Sequence, residues 1–234
     1  MNNRRRADEF ARQHPTVART IERLVLWPYR IRIRRRERTR VEHLEGTIET
    51  LRKELTKSRD RGTLDFSTVL NAGLYSLLFD RDFAALKEFF LAANNDWDRR
   101  FVARQMAVML YEGTQDLPAL IGKDFRDMMK RLEFADNRTK EVSQIRTKLA
   151  AFKRVHSERL KELRNVIAAH RARDVTLQLR LLDSLDKFEV YRTAVEFYAI
   201  VGELASVLTN ITNDMRDLRR LLKQLTAARP KTVG

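Results

Sequence analysis

The 234-residue chain has no cysteine, and this absence excludes disulfide bonds and metal sites built on thiolates. It also fits a reducing compartment, so we expect a cytoplasmic protein. Glycine and proline are scarce, at seven and four residues, and alternating β-branched residues are nearly absent. Because glycine and proline mark turns and β-branched residues favour strands, this composition predicts an all-α protein.

Several well-known functional motifs are also lacking. The sequence has no P-loop, GxGxxG, HExxH or GxSxG motif and no paired carboxylates at a distinctive spacing. Its four histidines are scattered, so we expect neither a metal site nor a cofactor. No apolar run approaches the length of a membrane span, and the arginine-rich start lacks the apolar core of a signal peptide. We therefore expect no membrane partner.

The net charge of +15 is unevenly distributed along the chain. Residues 1–62 carry a net charge of +9, and the remaining 172 residues carry +6. Such a basic arm indicates an anionic partner, most simply nucleic acid, or else a solvated segment that keeps the protein soluble. Because residues 59–63 are polar and include a glycine, we place a boundary there. Residues 1–62 are then a basic arm, and residues 63–234 a helical-bundle domain.

Within the arm, Trp27 and Tyr29 lie beside a cluster of arginines, namely Arg30, Arg32, Arg34, Arg35 and Arg36. The two aromatic rings can stack on bases while the guanidinium groups contact phosphates. The same pattern suits a helix at a membrane surface, or a segment that packs on the body of the protein. All three alternatives remain open.

A heptad-like apolar pattern follows in residues 38–61, at Val41, Leu44, Ile48, Leu51 and Leu55. These steps of three and four form the a/d seam of a coiled coil, although the seam lasts only about two heptads. Either the seam assists dimerisation or the stripe docks against the main domain of the same chain.

The body is a succession of amphipathic segments. We predict Asp96 as the N-cap of one helix, with Gly113 as its end, and a loop over residues 136–139. The predicted helical segments are 67–80, 83–93, 96–112, 116–121, 124–134, 140–173, 174–185 and 187–225. The long segment 140–173 contains an apolar stripe of Leu149, Phe152, His156, Leu160, Leu163, Ile167 and His170.

A short polar motif interrupts this stripe. Arg164 and Asn165 are followed, after a spacer of five residues from the arginine, by His170. This pattern resembles the R-x(4–6)-H signature of HEPN domains (higher eukaryotes and prokaryotes nucleotide-binding), and the run over 163–174 looks most like their abortive-infection branch. The resemblance covers about residues 66–222. It implies a helical bundle, a homodimer that brings two motifs together, and metal-independent cleavage of RNA by a toxin or antiphage effector.

Cleavage of RNA requires a base for the 2′-hydroxyl, an acid for the leaving oxygen and a cation near the phosphate. His170 can serve as base or acid near neutral pH, and Arg164 offers a planar cation to phosphate oxygens. Asn165 can orient the phosphate or the imidazole. The alternative is a structural role, with His170 as a core or interface residue. This is the more frequent role of a lone histidine on an apolar stripe. We assign a structural role to His156.

The spacing within the motif favours a dimer. Six residues on an ideal helix separate Arg164 from His170 by about 120° and 9 Å, too far for both to contact one phosphate unaided. One histidine also cannot act as base and acid in the same event. Two motif helices facing each other across a two-fold axis would remove both difficulties.

Residues after the motif are weaker candidates. Asp174 lies one turn past His170 and can hold its ring, and Arg171 and Arg173 can flank the RNA. An ordinary ion pair and a solvated charge run explain these residues equally well.

Two other functions remain open. One is a non-catalytic HEPN-like module that binds a nucleotide, nucleic acid or a protein partner such as an antitoxin or a defence-system component. In the other, residues 21–62 are the functional part, as a basic helical element.

Overall fold

A computed structural model describes residues 15–134, 136–168, 176, 179–180 and 184–227. Side chains are described in the first helix at Val17 and from residue 39 onward, and in the last two helices as far as residues 165 and 216. The described part is helical and contains no strand, which confirms the all-α prediction. Its main helices are α1 (Pro15–Asp60), α2 (Leu64–Ala92), α3 (Asp96–Leu120), α4 (Lys123–Arg131), α5 (Asp136–Ala168) and α6 (Lys187–Ala227).

Helices α1 and α2 form an antiparallel hairpin with a tight turn at the predicted boundary. Gly62 adopts a φ of 66°, a left-handed conformation that favours glycine. Around it, the Thr63 hydroxyl donates to the Ser58 carbonyl oxygen at 2.9 Å, and the Thr63 amide donates to the same oxygen at 2.9 Å. These bonds close the turn and direct α2 back along α1.

The heptad-like stripe of α1 packs within its own chain. Leu51 and Leu55 form a small apolar cluster with Phe66 and Leu70 of α2, and Leu44 is also buried. The sequence left two alternatives open, a coiled-coil seam that assists dimerisation and docking against the main domain of the same chain. The structure has the second arrangement.

Polar contacts hold the same part of α1 to the bundle. The Arg40 guanidinium donates to the Asp80 carboxylate and to the Tyr198 hydroxyl, and so joins α1 to both α2 and α6. Nearby, Arg81 Nε donates to Glu45 Oε1 at 2.9 Å. Arg40 and Glu45 therefore flank Val41 and Leu44, the first two residues of the heptad-like stripe.

Helix α2 is continuous where the sequence predicted two helices, 67–80 and 83–93. The predicted break fell on the polar residues 80–82. Phe79 and Phe83 are both buried on either side of it, and Arg40 compensates Asp80. The prediction of a break is wrong because residues of α1 compensate two of these charges, Arg40 at Asp80 and Glu45 at Arg81, and the helix continues between its buried phenylalanines.

Helix α3 also differs from its prediction. Its N-cap is Asn95, whose side-chain oxygen accepts from the Asp98 amide at 2.8 Å, so Asp96 is the first helical residue instead of the cap. Gly113 does not end the helix, which includes the predicted segment 116–121 as far as Leu120. Gly113 is buried because the rings of Phe79 and Phe197 occupy the space where a side chain would stand.

The core lies between α2, α3, α5 and α6. Phe197 of α6 is at its centre, with ring centroids 5.3 Å from Phe79 and 4.8 Å from Phe152. Helix α5 begins at Asp136, so the predicted loop over 136–139 is wrong. Its apolar stripe is confirmed as a core face, since four members are almost fully buried: Leu149, Phe152, Leu160 and Leu163.

Helix α6 contradicts the expectation that no apolar run approaches the length of a membrane span. Its segment Lys187–Arg216 is long and apolar enough to cross a membrane on length and composition. Part of this apolar character lies inside the bundle, because Phe197, Val201 and Leu204 of α6 belong to the core.

Candidate nucleic-acid site at the end of helix α5

The first two motif residues lie in the last turns of α5. Arg164 and Asn165 are exposed, whereas Leu160 and Leu163 on the adjoining face are buried in the core. The buried leucines fix the rotation of the helix, and the motif side chains therefore point away from the core.

Arg164 lies over an aromatic ring of the neighbouring helix. Its guanidinium carbon is 5.1 Å from the ring centroid of Tyr111 on α3, a cation–π contact. One turn further along α3, Gln115 Oε1 accepts from Lys153 Nζ at 2.7 Å. The two contacts show that α3 and α5 run antiparallel, with the end of α5 over the middle of α3. Sequence reasoning missed Tyr111, because no local pattern links it to a residue 53 positions later.

The other predicted site residues cannot be placed. His170, Arg171, Arg173 and Asp174 lie outside the described residues. Arg30, Arg32, Arg34, Arg35 and Arg36 belong to α1, but their side chains are outside the described part. The proximity of Arg164, Asn165 and His170 stays a prediction.

His156 has contacts that fit a structural role. Its ring centroid is 4.4 Å from that of Phe152 in the core, and its Nε2 lies 3.5 Å from Glu196 Oε2 on α6. The residue thus joins α5 to α6, about 12 Å along the helix from Arg164.

A row of cations on α5 leads to Arg164. Ideal helical spacing places them within one face about 100° wide. We call this row the α5 cation stripe: Arg146, Lys153, Arg154, Lys161 and Arg164. Within the described part of the chain, no carboxylate pairs with Arg146, Arg154 or Lys161. By contrast, Lys148 and Arg159 on other faces are paired with Glu203 and Glu162.

The stripe extends about 27 Å from Arg146 to Arg164. Such a row of cations attracts a polyanion, since each phosphate contact releases a bound counterion. Among the described residues, no group of three or more His, Asp or Glu side chains is arranged to hold a metal ion. The candidate site is therefore defined by arginine, lysine, asparagine and tyrosine.

Comparison with protein-family models, with curated proteins and with solved structures gives no match to this chain.

Proposed function

We propose that this chain is a HEPN-type, metal-independent endoribonuclease that acts as a toxin or antiphage effector. The observation that carries the proposal is the position of Arg164, an exposed motif arginine at the end of the α5 cation stripe. In this account, the stripe binds the RNA backbone, and Arg164 contacts the phosphate that is cleaved.

The chemistry assigned to the motif follows from its residue types. His170 of one chain takes the 2′-hydroxyl proton, and His170 of a second chain protonates the leaving 5′-oxygen. Arg164 stabilises the charge that builds up on the phosphate, and Asn165 orients it. Two copies of α5 meet at their C-terminal ends to form this cleft. The proposed setting is the cytoplasm, with RNA as substrate and a neutralising protein partner.

A second candidate is a non-catalytic module of the same kind, and the contact with Tyr111 favours it. Stacking on an aromatic ring gives Arg164 a structural reason to be present, worth about 0.5–1 kcal/mol at an exposed position. In this case, the motif and the stripe bind nucleic acid, a nucleotide or a protein without cleaving anything.

Substitutions of Arg164 separate the two candidates. We expect Arg164→Ala to lower the RNA cleavage rate about 100-fold or more, since a lost transition-state donor has effects of that size. Arg164→Lys keeps the charge but not the planar fork, so we expect partial activity only. The measurement is cleavage of a fluorescent RNA by purified protein, with circular dichroism and melting temperature as checks of folding.

Arg131→Ala is the control, because Arg131 is also an exposed arginine, lies on α4 and is paired with Asp65. We expect this variant to cleave like the parent. A fully active Arg164→Ala enzyme would contradict the assignment. If the folded parent does not cleave and Arg164→Ala lowers only the melting temperature, the non-catalytic module is the better account.

A further inference from the structure

Two large aromatic side chains are exposed at the start of α3. Trp97 is 57% exposed and Phe101 is 51% exposed. Neither is needed to complete the core, whose α3 face is formed by Ala103, Met106, Ala107 and Leu110. Phe89, which is 63% exposed, lines the same groove as Phe101, so the exposed aromatic side chains form a cluster here. Contiguous exposed apolar patches, unlike single exposed residues, mark binding surfaces.

These aromatic residues belong to the same face of α3 as the partner of the motif arginine. The face follows heptad spacing through Trp97, Phe101, Arg104, Val108 and Tyr111. Two arginine guanidinium groups lie against its rings, Arg104 at 5.9 Å from the Phe101 centroid and Arg164 at 5.1 Å from Tyr111. We call this face the α3 aromatic stripe.

A groove accompanies the open end of the stripe. The groove lies between the end of α2 and the start of α3, with Phe89 and Phe101 as its aromatic walls. Phe89 is 63% exposed, and Leu86, Ala92 and Val102 form most of the floor. A flat ring can therefore contact Phe101 from the groove side or lie on Trp97 from the outer side.

The first acidic residue of α3, Asp96 at the start of the stripe, is neutralised by two cations. Asp96 accepts a hydrogen bond from Lys187 and forms an ion pair with Arg100, whose Nε lies 2.7 Å from Asp96 Oδ2. Burial alone would raise the pKa of this carboxyl, but the two cations outweigh burial and hold the pKa below its usual value. Asp98 is exposed, and it is the acid that remains beside the groove.

We propose that Trp97 and Phe101 form a platform on which unpaired nucleobases stack, next to the motif. The inference rests on the nucleic-acid-binding part of the proposed function. The platform supplies base contacts, whereas the α5 cation stripe supplies phosphate contacts, and both lead to the contact between Arg164 and Tyr111. Aromatic rings beside a basic track are the usual means of holding a single strand without reading its sequence.

The dimensions suit a short single strand. The exposed rings of Trp97 and Phe101 are one helical turn apart, about 6 Å along α3. At roughly 3.4 Å per stacked nucleotide, this length accommodates about two stacked bases. A base pair within a duplex does not offer its face to the platform, so an intact duplex is excluded from stacking there.

Tryptophan fluorescence tests the platform directly. In a full-length Trp27→Phe, His170→Ala protein, Trp97 is the only tryptophan, and the histidine substitution prevents cleavage during titration. The probe is an eight-nucleotide single-stranded RNA of mixed sequence, and the comparison is the same RNA in a duplex. We expect the single strand, but not the duplex, to quench the Trp97 emission.

Affinity provides the second measurement, by fluorescence anisotropy of labelled RNA. We expect Phe101→Ala and Trp97→Ala each to weaken single-strand binding about 5- to 150-fold, the range that corresponds to one lost base stack. Asp98→Asn should tighten binding. Leu64→Ala is the control, since Leu64 is 74% exposed at the opposite end of α2 and should leave binding unchanged.

Three outcomes would overturn the platform. The first is RNA binding without quenching and with full affinity in Phe101→Ala, which would leave the proposed nuclease intact. The second is that Phe101→Ala dissociates a dimer, because a second copy would then cover the stripe. The third is no RNA binding at all, and the cleavage assay with Arg164 variants then decides the nuclease proposal separately.

Discussion

At the scale of single residues, Gly113 shows how tightly the bundle is packed beside the site. A Cβ atom at this position would lie 2.8 Å from ring atoms of both Phe79 and Phe197. Both rings are buried and in edge-to-face contact with each other, so neither can move aside easily. Glycine normally weakens a helix, but the rings from α2 and α6 leave no room for a side chain at position 113.

We expect Gly113→Ala to lower the free energy of unfolding by about 1–3 kcal/mol, because overpacking exceeds the gain in helix propensity. Urea denaturation of the full chain measures it. Gly202→Ala is the control, since Gly202 is also inside a helix but has no atom within 4 Å of an added Cβ. That substitution should stabilise the protein by about 0.5–1 kcal/mol. Equal effects at the two positions would show that Gly113 is not a packing residue.

The contact between Arg164 and Tyr111 has a double consequence at the same scale. Stacking holds the guanidinium near one position, and under the proposed function a pre-positioned cation would lose less entropy when it binds a phosphate. The same contact stabilises the α3–α5 pair in the absence of any ligand. The proposed catalytic role of Arg164 and its contribution to stability are therefore separable only by measuring both the cleavage rate and the melting temperature of its variants.

At the scale of elements, the docking of α1 distinguishes a single-chain bundle from a coiled-coil dimer. Leu55 is 6% exposed and packs against Phe66 and Leu70 of α2. The Arg40 contacts with Asp80 and Tyr198 extend this docking towards α6. Residues 40–60, the later part of the basic arm, thus pack on the bundle, and one continuous helix joins them to the earlier part of the arm.

We expect Leu55→Ala to lower the free energy of unfolding by about 2 kcal/mol, the lower end for a buried leucine because the cluster is small. The loss should be the same at every protein concentration, since the contact lies within one chain. Thermal unfolding over a 100-fold range of concentration tests this. A loss that grows on dilution would instead indicate a seam between two chains, and Leu64→Ala should change little.

Much of the fold at this scale could be predicted from the sequence, because apolar stripes at steps of three and four identify core faces. The buried face of α5 follows directly from Leu149, Phe152 and Leu160. Helix breaks were harder, since polar residues 80–82 and Gly113 interrupt the local pattern, and distant partners on α1 and α6 compensate for them. The contact between Tyr111 and Arg164 was inaccessible for the same reason.

At the scale of the whole molecule, the basic charge is arranged along elements that reach the site. The α5 cation stripe ends at Arg164, and the α3 aromatic stripe passes beneath it. Asn165 and Arg164 are exposed at this junction, and the motif continues to His170 beyond the described residues. The proposed nuclease, the binding module and the base platform all use this one surface. The presence or absence of RNA cleavage therefore decides between the nuclease and the binding module.

The most direct measurement is cleavage of a mixed RNA pool in EDTA by the parent, by His170→Ala and by His156→Ala. The account predicts cleavage by the parent without metal, loss of at least 100-fold in His170→Ala, and full activity in His156→Ala, whose histidine packs on Phe152. Cleavage by His170→Ala at the parental rate would contradict the account. So would cleavage by the parent that disappears in EDTA and returns with Mg²⁺.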